Sequence, residues 1–286
     1  KEQTPDIVHC HSRRGADVLG GLAAVFAEVP AVVSRRVDNT EMRLMASLRY
    51  KPFDRIIAIS EAVAAVLREQ EIDANRIEVI RDAVDADRFA TKPDCSQFRD
   101  EFGVKNGMFT ILAAGQLIPR KGHRFLLQAV ANLVHTQQPL RVVILGEGEL
   151  DTELRAQASQ LGLNGVVQFG GFRADLDNFI ACFDLLVHPA LTAGLGVIAL
   201  KAAAAGVPVV GFNAGGMPEA VLHGETGLLA EAENVDELQQ HIRTLINDDE
   251  LRQKMSVAGR LRMKNDFSIA TMADKHIALY ESIING

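Results

Sequence analysis

An α/β chain with two parallel sheets and a cleft between them is what this sequence predicts, on three observations. Short β-branched runs alternate with helical patterns from Asp6 to Phe212, which calls for parallel strands joined by helical crossovers. A polar, proline-bearing stretch from Ala86 to about Gly107 interrupts that alternation where a crossover between domains would lie. The 286 residues suffice for two domains, each able to bury its own core.

The most informative stretch runs from Asp184 to Glu219. Asp184–Val187 reads as a buried strand closed by His188-Pro189, and Pro208–Phe212 as a second strand. The Ala-rich run Val197–Ala205 between them is a small-residue helix ended by Gly206. Before it, Ala193-Gly194-Leu195-Gly196 carries two glycines, so bare backbone N–H groups can approach a ligand. A helix N-terminus beneath such a loop favours anions and hydroxyl oxygens.

These residues resemble the signature of the retaining glycosyltransferases of family 4, which have the two-domain GT-B fold. Gly194, Gly196, Ala202, Gly206, Pro208, Val209, Val210, Gly215, Gly216 and Glu219 match its pattern. Ala193 and Lys201 stand where the pattern carries its two glutamates. The resemblance implies two Rossmann-like domains with parallel sheets facing a cleft. It also implies a nucleoside diphosphate sugar as donor substrate, no metal and no cofactor. The first domain is expected to be incomplete, because the chain opens with Lys1 and enters a strand almost at once.

Composition narrows the classes. A formal net charge of -7 argues against nucleic acid as a partner. No apolar run reaches the roughly 18 residues of a membrane span, and no signal peptide is visible. Cys10, Cys95 and Cys182 are widely scattered, which suits a reducing cytosol. The expected location is cytoplasmic, with a peripheral contact at the inner face of the membrane left open.

In chain order, Asp6–His11 is the first strand, followed by the basic turn Ser12-Arg13-Arg14-Gly15 and a helix to Phe26. Alternation puts His9 and His11 on one face and Cys10 on the other, which disfavours a three-ligand metal site. By resemblance, His11 is the second His of the family's Asp-x-x-His-x-His and lies near the reacting sugar; the alternative is a buried strand histidine. Ala31–Ser34 is a strand and Thr40–Tyr50 a helix. Around them Arg35, Arg36, Arg43, Arg49, Lys51 and Arg55 face Asp38, Glu41 and Asp54, 6 - 3 = +3. That is a solvated face, or a site for an anionic acceptor or membrane surface.

Arg55–Ile59 is a strand, Ser60 caps a helix to about Gln70, and Arg76–Ile80 leads into Arg81-Asp82-Ala83-Val84-Asp85, similar to the family's closing turn of the first domain. Phe109–Ala114 then ends at Gly115-Gln116-Leu117-Ile118-Pro119-Arg120-Lys121-Gly122. This resembles the family's donor-diphosphate loop. It assigns Gly115, Gln116, Arg120 and Lys121 to the diphosphate, with the backbone of Gly194, Leu195, Gly196 and Val197; Gln116 replaces the usual Arg. The other reading of Arg120 and Lys121 is a solvated turn. Gly146-Glu147-Gly148 lacks the third glycine of a dinucleotide fingerprint, since Asp151 stands there, and is set aside.

By resemblance, backbone near Phe172 and Arg173 lies on the base side, while Ala193 and Lys201 occupy the donor sugar and ribose positions. Lys201 only donates hydrogen bonds and cannot accept two ribose hydroxyls as a carboxylate does. Glu219 is read as an acid at a helix N-terminus and His188 as a core-edge histidine. Helices at about 235–247, 249–264 and 268–284 finish the chain, and the last is expected to dock onto the first domain. The domains are placed at 1–90 with 268–286, the acceptor side, and at 91–267, the nucleotide-sugar side.

The function expected is transfer of a hexose-type sugar to an acceptor hydroxyl with retention, in surface polysaccharide or lipopolysaccharide synthesis. The acceptor is a glycan, a lipid-linked sugar or a small molecule. The alternative is a catalytically impaired relative that binds a sugar nucleotide or a protein.

Overall fold

The computed structural model describes residues 5–11, 15–91, 93–134 and 139–285. The turn Ser12-Arg13-Arg14 lies outside the described residues. The chain divides into two compact units. The first takes in residues up to Ala83, Ala193–Leu195 and the segment from Ile269 onward; the second takes in Val84–Thr192 and Gly196–Ser268.

In the first unit, β1 (Val8–Cys10), α1 (Ala16–Ala27), β2 (Ala31–Arg35), α2 (Arg43–Tyr50), β3 (Arg55–Ala58), α3 (Glu61–Glu69) and β4 (Ile77–Val79) alternate. Their strands form one parallel sheet in the order β1-β2-β3-β4. α3 starts where the sequence says it should: Ser60 Oγ accepts from Val63 N at 3.1 Å. Ile80 leads out of β4 toward a turn in which Arg36 bonds Asp82 at 2.8 Å.

The basic face around α2 is divided: Arg35 and Arg49 are drawn into an internal network, whereas the Arg43–Glu71 pair is exposed to solvent. Arg35 is buried, donating to Glu41 at 2.6 Å and to the Tyr50 hydroxyl at 3.0 Å. Arg49 lies 3.1 Å from Glu41, and Arg43 lies 2.5 Å from Glu71. Charge counting along the chain missed this because the partners come from both sides of the helix.

The second unit opens with α4 (Ser96–Glu101), so the expected irregular crossover carries a helix. Then follow β5 (Phe109–Ala114), α5 (His123–Ala131), β6 (Leu140–Leu145), α6 (Asp151–Gln160), β7 (Val167–Gly171) and β8 (Leu185–His188). After these come α7 (Val197–Ala204), β9 (Val209–Phe212), α8 (Met217–Ala220), β10 (Gly227–Ala230), α9 (Val235–Asn247) and α10 (Asp249–Asp266). All six strands are parallel, in the order β10-β9-β8-β5-β6-β7. The order reverses at β5, and open α/β sheets bind ligands beyond the carboxyl ends of strands at such a switch point.

The core of this unit is continuous. Leu126, Val130, Val142, Val187, Val210, Leu238, Ile242 and Leu245 are fully buried, with Ile144 almost so. α7 is short and alanine-rich because α10 crosses close to it: a Cβ on Gly259 would lie 3.4 Å from Ala203 Cβ. Arg260 caps the end of α7, donating to the Ala205 carbonyl at 2.5 Å.

The last helix, α11 (Ile269–Ile284), belongs to the first unit, where Leu279 packs with Val32, Ile57 and Ile80. The cysteine expectation is corrected. Cys95 and Cys182 form a disulfide across 87 residues, and Cys10 is free and buried. The fold brings the start of α4 against the turn before β8, a proximity that sequence spacing does not reveal. Among the described residues no helix is long and apolar enough to cross a membrane.

Candidate functional site

A cavity of about 420 Å³ opens at the carboxyl ends of β5 and β6, lined by Gly115, Gln116, Gly146, Glu147, Phe172 and Arg173 among others. Glycine is required where these strand ends meet. Gly146 has φ 142°, and a Cβ on it would fall 1.9 Å from the Gly115 carbonyl oxygen. Gly115 itself has φ 158° and donates its N–H to the Leu145 carbonyl at 2.9 Å. Two strand ends thus close on each other with bare backbone facing the cavity.

The cavity brings Gly115 and Gln116 together with Phe172 and Arg173. It also recruits Gly146 and Glu147 from a motif that the sequence analysis set aside. Their signal was the Gly-x-Gly at the end of a strand; it fails as a dinucleotide fingerprint and still marks a close backbone approach. Leu176 and Ile198 also line it and carried no sequence signal.

Phe172 is 69% exposed, leaving its ring face available for stacking. The Arg173 side chain is committed elsewhere. It donates to both Asp175 oxygens at 2.8 Å, pairs with Glu101, and lies over the Phe179 ring at 4.8 Å. Those carboxylates hold its guanidinium charged far beyond the ordinary range. Only the backbone of Arg173 is left for a ligand.

Arg120 and Lys121 sit on the 3-10 turn Pro119–Lys121. Gly122 ends that turn at φ 68°, where a Cβ would collide with the Pro189 carbonyl oxygen. The turn is therefore pinned to the end of β8, and Leu191 N donates to the Arg120 carbonyl at 2.9 Å. The Lys121 chain folds back over Gly115, with Cδ 3.7 Å from where a Cβ on that glycine would stand. Beneath the loop lie His123 and His188, both buried. Burial pushes His123 down to about 4 and, with the charge of Lys121, His188 down to about 3, so both stay neutral. They support the loop without adding charge.

The glycine loop before α7 divides between the units. Ala193–Leu195 groups with the first, where Ser60 Oγ donates to the Gly194 carbonyl at 2.5 Å. Gly196 and Val197 belong to the second, with Gly196 at φ 81° as the N-cap of α7. Ala193 is 2% exposed, a buried apolar position. Lys201 makes an ion pair with Asp177, its Nζ 2.8 and 3.0 Å from the two carboxylate oxygens.

His11 lies one residue beyond β1 and is exposed, so it is not the buried strand histidine of the alternative reading. Its ring is 3.8 Å from that of His9. His9 is fixed on both nitrogens: Nδ1 lies 2.5 Å from the Tyr280 hydroxyl and Nε2 2.8 Å from Ser34 Oγ. Partial burial, Arg36 and His276 lower the pKa of His11, opposed by Asp82. The cluster holds two neutral imidazoles beside the Arg36–Asp82 pair.

Comparison with known proteins agrees with this geometry. Residues 95–262 match the family described as glycosyl transferases group 1, and residues 1–88 match glycosyltransferase family 4. The chain is 32% identical over 210 residues to a GDP-mannose-dependent monoacylated α-(1-6)-phosphatidylinositol monomannoside mannosyltransferase of Corynebacterium glutamicum, covering 70% of this chain and 54% of that protein. It is 28% identical to a UDP-Gal:α-D-GlcNAc-diphosphoundecaprenol α-1,3-galactosyltransferase of Escherichia coli, covering 99% of this chain and 77% of that protein. The chain thus spans about half to three quarters of these relatives. Among solved structures, Anabaena Alr3699/HepE in complex with UDP superposes with a TM-score of 0.88 at 26% identity, over 97% of this chain and 79% of that one. The same protein with UDP-glucose gives a TM-score of 0.87 at 27% identity, over 97% and 79%. Two parallel sheets, a glycine-closed cavity at the switch point and both family matches place this chain among the GT-B glycosyltransferases of group 1 and family 4.

Proposed function

We propose that this chain carries the donor side of a retaining glycosyltransferase that moves a hexose-type sugar from a nucleoside diphosphate sugar to an acceptor hydroxyl. The observation that carries this reading is the cavity at the ends of β5 and β6, closed by Gly115 and Gly146, with the Lys121 chain folded over Gly115. Sugar transfer leaves a nucleoside diphosphate carrying the bonding electrons. Fixed cations and N–H groups stabilise that charge as it develops. Lys121, Arg120 and the N–H groups of Gly196 and Val197 are assigned to it. Phe172 stacks on the base, and the Gly115–Gln116 backbone packs beside it. His11, held neutral, serves as a hydrogen-bonding group for a sugar hydroxyl.

UDP in HepE and the nucleotide sugars named for the relatives support a nucleotide donor. The lipid-linked acceptors named for those relatives favour a role in surface polysaccharide or lipopolysaccharide synthesis. Work at the cytoplasmic face of a membrane fits the apolar side chains exposed on α1 and α2, including Leu19, Phe26, Leu44 and Leu48. A second reading, a relative that binds a sugar nucleotide without turnover, is favoured by the buried Ala193 and by Lys201 at the two glutamate positions.

Calorimetry with UDP and GDP tests the first reading. Lys121→Ala is expected to weaken binding of the preferred nucleotide by about 1.5–3 kcal/mol, the range for hydrogen bonds to charged groups. Equal affinities would remove Lys121 from the site. Release of sugar from UDP-glucose or GDP-mannose separates the two readings, since only the first predicts turnover.

A further inference from the structure

The pairing of Lys201 has a counterpart in the neighbouring turn. Asp177 sits on the 3-10 turn Leu176–Asn178. Its carboxylate receives Lys201 Nζ at 2.8 and 3.0 Å and Arg88 NH1 at 3.0 Å. The Asp177 side chain is 11% exposed and that of Lys201 35%. Two cations from distant parts of the chain therefore converge on one largely buried acid.

The segments that carry Asp177 and Lys201 also contribute to the cavity at the ends of β5 and β6. Leu176, immediately before Asp177, lines it. So does Ile198, three residues before Lys201 and on the same face of α7. Burying a carboxylate costs free energy that its partners only partly return.

The chemistry of a vicinal diol explains the arrangement. Two hydroxyls seek an acceptor for their protons, and an ammonium has none to offer. A carboxylate has about four lone-pair sites, and the Lys201 and Arg88 contacts leave capacity for a further donor. The half-exposed Lys201 keeps N–H groups that can donate to a hydroxyl oxygen. Together Asp177 and Lys201 can satisfy a hydroxyl in both directions.

We propose that Asp177, oriented by Lys201 and Arg88, is the carboxylate that accepts a hydrogen bond from a ribose hydroxyl of the bound nucleotide. The acid stands on the turn before β8 rather than on α7, and Lys201 is its positioning residue. This assignment rests on the nucleotide-donor reading above.

Calorimetry with UDP, GDP and their 2′,3′-dideoxy analogues tests it. The unsubstituted chain is expected to favour the ribose form by at least about tenfold, as one charge-assisted hydrogen bond provides. Asp177→Asn should reduce that preference to within about twofold and leave affinity for the dideoxy analogue unchanged. The double variant Asp177→Ala, Lys201→Glu returns a carboxylate to α7 and should restore the preference. A purely structural ion pair would lower affinity for both analogues equally. Nucleotide binding without ribose preference in the unsubstituted chain, or a preference that survives Asp177→Asn, overturns the assignment alone. Failure of the unsubstituted chain to bind any of the four nucleotides overturns the donor-site reading and this assignment with it.

Discussion

The two parallel sheets follow one rule of construction and differ in what covers their helices. In the six-stranded sheet, α5 buries Phe125, Leu126, Leu127, Ala129 and Val130. In the four-stranded sheet, α1 is as apolar in sequence but leaves Leu19, Leu22, Val25 and Phe26 exposed. α2 does the same with Leu44, Met45 and Leu48. Hydrophobic residues identify side chains able to pack; whether a partner surface meets them is a property of the assembled fold. The same contrast holds for polar groups. The second unit presents bare backbone around a cavity, and the first a set of close-packed histidine rings in which His9 bonds Tyr280 and Ser34.

The sharpest way to break this comparison is to cut into both units alike. Leu126→Ala removes a fully buried side chain of the larger core and is expected to cost about 2–5 kcal/mol. Phe26→Ser changes a residue 88% exposed and should stay within about 0.5 kcal/mol. Urea unfolding of both variants checks this, and comparable losses would show that α1 is covered in solution.

The disulfide comes next. Cys182→Ser opens a link across 87 residues of the second unit and should lower its stability by about 2–4 kcal/mol under oxidising conditions. With a reductant present, wild type and variant should coincide. A difference that persists in reductant would point to packing around residue 182 instead.

The buried histidines give a graded effect. Unfolded histidine titrates near about 6.5; His188 is held at about 3 and His123 at about 4 by burial, so the unfolded chain binds more protons between those limits. Their contribution to stability is complete above about pH 6.5 and falls with acidification, by up to about 1.4 kcal/mol per pH unit for each. His9, held at about 3, does the same in the first unit. His188→Asn should flatten the pH dependence between pH 6.5 and 4 by about one proton. An unchanged slope would mean that His188 is already charged when folded.

The smallest effect concerns Ser60, whose hydroxyl both caps α3 and bonds the Gly194 carbonyl. Ser60→Ala should cost about 1 kcal/mol, within the range for a lost N-cap. Ser60→Gly should recover part of the cap and none of the Gly194 bond. Equal losses for the two would assign the effect to the carbonyl contact.

Much of this was legible in the sequence because it depends on local rules. Strands β5 and β9 appear as β-rich apolar runs, and α7 as an alanine run between glycines, within a residue or two of their observed limits. The cap at Ser60 and the glycines at 115 and 196 follow from backbone geometry at single positions. Tertiary structure alone decided the rest. Gly146 entered the cavity because its missing Cβ lets it meet Gly115, a neighbour across the sheet. Arg35 became a buried ion pair, and Cys95 met Cys182 across 87 residues. Lys201 reads in sequence as the loss of an acid; in the fold it faces Asp177, 24 residues earlier. Periodicity and capping act over a few residues, whereas the partner of a charge or a thiol is chosen by chain segments that meet only after the sheets have formed.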